Sequence, residues 1–182
     1  VFQNERLGTG HAVMSAKEAA AGRAKNVMVL YADTPLITPA SIRRIAEKQI
    51  WDDAVLTMAT VKVPDFEGVR RPLYDYGRIV RDDGGNLLRS VELKDTDPEM
   101  REIREVNPSF YCFSDAWLWP SLAMLKNENA QGEYYLTDLI EVAIKQGKKI
   151  TTVEVEAEEA LGINNREQLE TAAEILRKRR VV

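Results

Sequence analysis

The sequence has one cysteine and one histidine in 182 residues. The single Cys112 excludes an internal disulfide and suits a reducing compartment. One histidine and one cysteine cannot build a metal cluster of the His/Cys type, and no Ser-His-Asp set can be assembled around His11. No apolar run approaches the roughly 20 residues that span a bilayer. The opening "VFQNERLG" lacks the charged-then-apolar pattern of a signal peptide, so the cytoplasm is the expected location. The formal net charge is −4, and no basic stripe with interleaved aromatics occurs, which argues against nucleic acid as a partner. Repeats and low-complexity linkers are also missing.

What is present suits one domain with its own core: 45% apolar and 30% charged residues. Residues 11–21 are Ala-rich and read as a helix stopped by Gly22. "NVMVLYAD", 26–33, is a continuous apolar run ending in a carboxylate, the pattern of a strand buried on both faces. Pro39 suits the first position of a helix over about 39–49, and 54–63 reads as a second buried strand. Residues 64–75 read as loop. "YGRIVRD" and "NLLRSVEL" flank Asp82-Asp83-Gly84-Gly85, the strongest hairpin signal in the chain. A short helix over about 97–104 and the strand "SFYCF" follow. "DAWLWPSLAML" reads as a helix that Pro120 kinks or starts. A helix closed by Gly147, the strand "KITTVEVE" and a last helix with cations towards its C-terminus complete the chain. Strands alternating with helices predict an α/β fold, with a mixed, mostly parallel sheet and one inserted hairpin. Ligands of such sheets sit beyond the carboxyl ends of the strands, which points to the loops at Asp33, Glu92 and Asn164.

Each candidate has a functional and a structural explanation at this stage. Asp33 is placed to bind Mg²⁺, an ion of oxygen ligands, or to cap the "TPLIT" turn. Asn164, in "LGINNREQL", offers a neutral carbonyl to the same ion or an N-cap to the helix that follows. "GTGH" lacks the third glycine of the dinucleotide fingerprint and the Lys of a P-loop, and its small residues would let a flat base approach the backbone. His11 reads as a capping or packing residue rather than a base. Thr137 and Tyr135 in "AQGEYYLTD" reach a ligand or simply start a helix. Glu92 and Asn107 flank strands and are placed to hold sugar hydroxyls.

Taken together, "LGTGHAV", "LYADTPLI", "YGRIVRD" with "VELKD", "EVNPSFYCF", "NAQGEYYLTDLI" and "GINNREQL" occur in an order that resembles the uridyltransferase domain of the bacterial bifunctional N-acetylglucosamine-1-phosphate uridyltransferase/glucosamine-1-phosphate acetyltransferases. The likeness runs from Gln3 to about Arg166. It implies a Rossmann-like nucleotide-diphospho-sugar transferase fold. It also implies Mg²⁺-dependent conversion of UTP and N-acetylglucosamine 1-phosphate to UDP-N-acetylglucosamine and pyrophosphate, a step towards cell-wall peptidoglycan. By this resemblance Gln3, Gly8 and Thr9 bind uracil. Tyr31, Ala32 and Asp33 line the nucleotide site, with Ala32 where glycine is common. Gly77, Glu92, Asn107 and Thr137 hold the sugar, and Asp33 and Asn164 bind Mg²⁺. "NPSF" departs from the usual Asn, small residue, Gly, so Pro108 and Ser109 stiffen the backbone after Asn107. The resemblance further implies that residues 1–182 are a partial domain, without the first strand and its Gly-rich cationic loop and without the C-terminal β-helix that carries acetyl transfer and trimerisation. Such a segment alone is expected to be inactive. The alternatives are a nucleotidyltransferase for another sugar 1-phosphate and a non-catalytic module that binds a sugar nucleotide.

Overall fold

The computed structural model describes residues 1–180; the last two residues of the expected domain lie outside the described residues. Seven strands form one sheet: β1 (Asn26–Val29), β2 (Leu56–Lys62), β3 (Gly77–Arg81), β4 (Leu87–Val91), β5 (Glu105–Asn107), β6 (Tyr111–Ser114) and β7 (Ile150–Glu154). Their order is β1-β6-β2-β5-β3-β4, with β7 also on β2. β2 organises the sheet. Its first half pairs with β6 and β7, and its last residues, Val61 and Lys62, pair with Val106 and Glu105 of β5.

Helices cover both faces. On one side α1 (Thr9–Ser15), α5 (Asp115–Leu122) and α6 (Leu139–Lys145) pack on Leu56, Met58, Tyr111 and Phe113. On the other α3 (Pro39–Trp51) and α7 (Arg166–Arg180) pack on Ala59, Val61, Phe110 and Cys112. Successive strand residues face opposite layers, so a strand covered on both sides must be apolar throughout. β2 is buried along its length except at Lys62, as its continuous apolar run requires. α3 begins as its sequence predicts: Pro39 is its first residue, and Thr38 Oγ1 accepts the Ser41 N–H at 3.2 Å. The hairpin forms as expected, with Asp82 accepting the Asn86 N–H on its side chain at 2.8 Å.

The α/β class holds, but the expectation of a mostly parallel sheet does not. Among the described residues β2–β7 is the one parallel pairing, and the other five are antiparallel. β6 lies between β1 and β2 and runs against both. Apolar runs report burial on two faces; they carry no information on strand direction. The helix expected over 11–21 is two pieces, α1 and α2 (Lys17–Ala20). Ser15 Oγ donates to the His11 carbonyl at 2.9 Å and the Ala16 N–H turns to the Val13 carbonyl, so the helical ladder changes register there. Pro120 neither starts nor ends α5, which begins at Asp115 and runs on to Leu122. Trp117, Leu118, Trp119 and Leu122 are all buried, and that burial outweighs one lost backbone bond in a two-turn helix. The segment read as loop holds a 3-10 helix, Gly68–Asp75, and the short helix expected over 97–104 shrinks to α4, Pro98–Arg101. No described helix is long and apolar enough to cross a membrane.

Beneath the 3-10 helix lies the largest fully buried polar side chain, Arg78. Its guanidinium donates to the carbonyls of Tyr74, Tyr76 and Arg101, and it lies 4.9 Å and 5.0 Å from the ring centres of Phe66 and Tyr74. This ties the segment Tyr74–Tyr76 to the start of β3.

Candidate active site

A cavity of about 210 Å³ opens where β1, β3 and β5 end or begin, against the loop before α7. Six of the predicted residues line it: Tyr31, Asp33, Gly77, Glu92, Asn107 and Asn164. Asp75, Tyr76 and Ser109 join them. Three carboxylates therefore line the cavity, and no lysine or arginine does.

Asp33 follows β1 in an exposed turn. Its backbone carbonyl accepts the Ile163 N–H at 2.8 Å, which ties the Asn164 loop to the Asp33 turn. A second tie comes from Tyr76, whose hydroxyl donates to the Ala160 carbonyl at 2.6 Å. Burial, with the nearby charges of Asp33 and Asp75, pushes the Tyr76 phenol up to about 12, so it stays a neutral donor. The two explanations weighed for the asparagines divide between neighbours. Asn165 Oδ1 accepts the Gln168 N–H at 2.9 Å and caps α7. The exposed Asn164 side chain has no hydrogen-bond partner among the described residues.

On the sugar side, Gly77 pairs in register with Asn107. A Cβ on Gly77 would stand 3.3 Å from Ser90 Oγ and the Val91 carbonyl. Glu92 follows β4 and accepts the Thr137 hydroxyl at 3.1 Å. Burial raises its carboxyl above the usual range, helped by the like charges of Asp95 and Glu133 and opposed by Thr137. Thr137 is buried and reaches the cavity only through Glu92. Asn107 is buried too, and its amide is engaged with Ser90, Tyr111 and the Ser109 backbone.

Gln3, Gly8 and Thr9 lie outside the cavity lining, with Thr9 beside Tyr31. The Thr9 hydroxyl stands beside the Tyr31 phenol and accepts the Leu136 N–H at 3.0 Å. Gln3 Nε2 meets the Gly8 carbonyl at 3.3 Å and His11 Nδ1 at 3.1 Å, so His11 orients Gln3. The glycines answer to the protein's own backbone. Gly10 N–H donates to the Tyr134 carbonyl at 2.7 Å, and Tyr134 N–H returns to Leu7 at 2.8 Å. Gly8 has φ +102°, and a Cβ there would stand 2.8 Å from Glu133 Cβ and the Tyr134 carbonyl. "LGTGH" and "GEYYLTD" are thus two halves of one backbone-paired unit. Ala32 is exposed and outside the lining.

Sequence reasoning did not single out Asp75 or Tyr76. Tyr76 carried a signal, an aromatic beside a strand-initial glycine, but its partner lies 84 residues away. Oxygen donors Asp33 and Asn164 on one cavity fit Mg²⁺, which takes few protein ligands and keeps water or phosphate in the remaining positions. Among the described residues no group of three or more His, Cys, Asp or Glu could hold a metal by itself, so ligand oxygens would have to complete the shell.

No family model matches the chain. The chain is 42% identical over 181 residues to Bifunctional protein GlmU of Desulfotalea psychrophila, covering 99% of this chain and 51% of the relative. It is 43% identical over 181 residues to the protein of that name from Acetivibrio thermocellus, covering 98% and 37%. It is 40% identical over 180 residues to that from Lactobacillus delbrueckii subsp. bulgaricus, covering 98% and 38%. The chain spans about half, or less, of the length of these curated relatives. Among solved structures it is similar to UDP-glucose pyrophosphorylase complexed with UDP-glucose, with TM-score 0.70 and 15% identity, covering 98% of this chain and 65% of that one. It is similar also to CMP:2-keto-3-deoxy-manno-octonic acid synthetase complexed with CTP, with TM-score 0.62 and 14% identity, covering 93% and 68%. The likeness read from the motifs therefore extends over nearly the whole chain, and the fold is that of nucleotidyltransferases.

Proposed function

We propose that this chain, similar along nearly all its length to the GlmU proteins, belongs to an enzyme that transfers uridylyl from UTP to N-acetylglucosamine 1-phosphate. The products are UDP-N-acetylglucosamine and pyrophosphate. One observation carries the reading: residues from five separate stretches, Tyr31 with Asp33, Gly77, Glu92, Asn107 and Asn164, meet on one cavity that carries acceptor oxygens and no cation.

The attacking group is a phosphate oxygen that is already ionised near neutral pH, so the site needs no general base. This agrees with a cavity that has no histidine. Oxygen of the sugar phosphate forms a bond to the α-phosphorus of UTP as the bond to pyrophosphate breaks. The protein's part is alignment and charge. Glu92, oriented by Thr137, and the Gly77 backbone hold the sugar. Thr9 and Gln3, held by Leu136 and His11 outside that cavity, would meet the uracil of a nucleotide that extends past Tyr31. Asp33 and Asn164 would hold Mg²⁺, which supplies polarisation of phosphoryl oxygens when bound. Three carboxylates repel a polyphosphate, and a divalent cation between them and the ligand removes that repulsion. Both substrates are cytoplasmic metabolites, so we place the reaction there. The trimer and acetyl transfer belong, in this proposal, to the whole bifunctional protein.

Pyrophosphate release tests the reading, with UTP, Mg²⁺ and either N-acetylglucosamine 1-phosphate or glucose 1-phosphate, in the longest protein that contains this chain. Preference for the N-acetylated substrate is expected. Preference for glucose 1-phosphate would move the assignment to another sugar, and binding without turnover would make this a sugar-nucleotide module.

A further inference from the structure

The loop that carries Asn164 is pinned at three points, and the pins come from different parts of the fold. The Asp33 carbonyl accepts the Ile163 N–H at 2.8 Å. Gln168 Oε1, from the first turn of α7, accepts the Asn164 N–H at 2.7 Å. The third pin comes from the sheet, where the Tyr76 hydroxyl donates to the Ala160 carbonyl at 2.6 Å. Tyr76 directly precedes Gly77, the first residue of β3, and both line the cavity. The backbone of Tyr76 is itself held twice. Its N–H donates to the Leu73 carbonyl at 3.2 Å, and its carbonyl accepts from the buried Arg78 guanidinium. A phenol rooted beside the sugar side of the cavity thus reaches across to the loop of Asn164.

Gly162 shows how close that approach is. A Cβ there would stand 3.3 Å from Tyr76 Oη, 3.8 Å from Asn164 Nδ2 and 3.9 Å from the Asp33 carbonyl oxygen. The phenol, the Asn164 amide and the Asp33 turn therefore meet around one glycine. Gly162 does not have a positive φ, so the close contact rather than the backbone conformation calls for the missing side chain. The Asn164 side chain has no hydrogen-bond partner among the described residues, so the loop backbone alone sets where it stands.

We infer that Tyr76 is a positioning residue: its hydroxyl holds the 160–164 loop against the cavity so that Asn164 and Asp33 can serve one divalent cation. The inference rests on the proposed metal-dependent function. Mg²⁺ demands near-ideal octahedral geometry, and with only two protein ligands a displacement of either one counts. The phenol touches neither ligand oxygen and acts through the backbone between them.

The test is calorimetric binding of UDP-N-acetylglucosamine, with Mg²⁺ and with a chelator in its place, to the longest protein that contains this chain. The parent is compared with Tyr76→Phe, Gly162→Ala and the double variant. The parent is expected to bind more tightly with Mg²⁺. Tyr76→Phe keeps the ring, and should lose about tenfold in affinity with Mg²⁺ and nothing with the chelator. Gly162→Ala leaves the phenol in place but crowds it, and should show the same selective loss. In the Tyr76→Phe background the added methyl has room, so the two losses should not add. A ring that merely fills space would leave Tyr76→Phe equal to the parent. If Tyr76→Phe melts early, Gly162→Ala carries the test by itself. Retention of the parent's gain from Mg²⁺, equal weakening with and without it, or fully additive losses would overturn the inference and leave the proposed function standing. A parent that gains nothing from Mg²⁺ overturns the metal reading and the inference with it.

Discussion

Asn107 and Asn164 are the same residue type, stand on the same cavity, and do opposite things. The loop at Asn107 is closed: the side chain is buried and engaged with Ser90, Tyr111 and Ser109. The loop at Asn164 is open: the side chain is exposed, and its neighbour Asn165 has taken over the capping of α7. Asp33 belongs with the open loop, joined to it through Ile163. The difference separates scaffold from contact. A polar group whose partners are all protein sets the shape of a site, and one held at the cavity without protein partners is free to meet a ligand in the proposed function.

The comparison can be broken most forcefully at Asp33. Asp33→Ala should lower turnover at least ~100-fold, by analogy with other lost electrostatic groups, while its melting temperature stays near that of the parent. Near-parental pyrophosphate release by this variant would remove the open loop from the chemistry. Next comes the pair of asparagines. Asn107→Ala strands Ser90, Tyr111 and the Ser109 N–H in a buried setting, and should cost roughly 2–3 kcal/mol in urea unfolding. Asn164→Ala should stay within about 0.5 kcal/mol in the same measurement and instead raise the Mg²⁺ concentration needed for half-maximal activity. Equal destabilisation by the two would erase the distinction. Gly10→Ala probes the backbone-paired unit behind Tyr31. Its Cβ would lie 2.6 Å from Leu125 Cδ1 and 2.9 Å from the Tyr134 carbonyl, so a loss of about 1–3 kcal/mol is expected. Wild-type stability would show that the two segments are not locked together.

The smallest effect concerns Asp138, next to Thr137. Burial, with Glu141, Glu92 and Asp95 nearby, pushes its carboxyl up to about 6. A raised acid in the folded state favours the protonated form, so its contribution to stability is present below the ordinary aspartate range and is lost as pH rises through about 6. Asp138→Asn should flatten the melting temperature over that window and raise it slightly at pH 7. An unchanged pH profile would show that the closed side of the site carries no such burden.

Much of this was legible in the sequence, and the limits are physical. The hairpin around Asp82 and the start of α3 at Pro39 are local signals, and they held; the run 26–33 held only in part, since β1 stops at Val29 and is half-buried rather than buried on both faces. Strand direction was not legible, because "SFYCF" has the same composition whichever way it runs. The reason for Gly8 and Gly10 lay more than 120 residues along the chain, at Tyr134. Ser109 was visible as a departure from pattern, but its positive φ shows only when Asn107 is seen to call its N–H back. Local chemistry is written locally; a residue satisfied by a distant partner looks, in sequence, like one left open.

The central position of β2 has a consequence in time rather than space. Thr57 meets Thr151 across the parallel pairing with β7, 94 residues later, through hydroxyls 2.8 Å apart. A nascent chain therefore makes "LTMATV", a short run of high β propensity, long before its partners β5, β6 and β7 exist. Until then the run is an unpaired, apolar edge of the kind that aggregates and that chaperones hold. Closing a loop of that length makes the pairing slow, so β2 and β7 amides should gain protection from hydrogen exchange together and after the β3–β4 hairpin. Protection of β2 ahead of the hairpin would place the nucleus elsewhere.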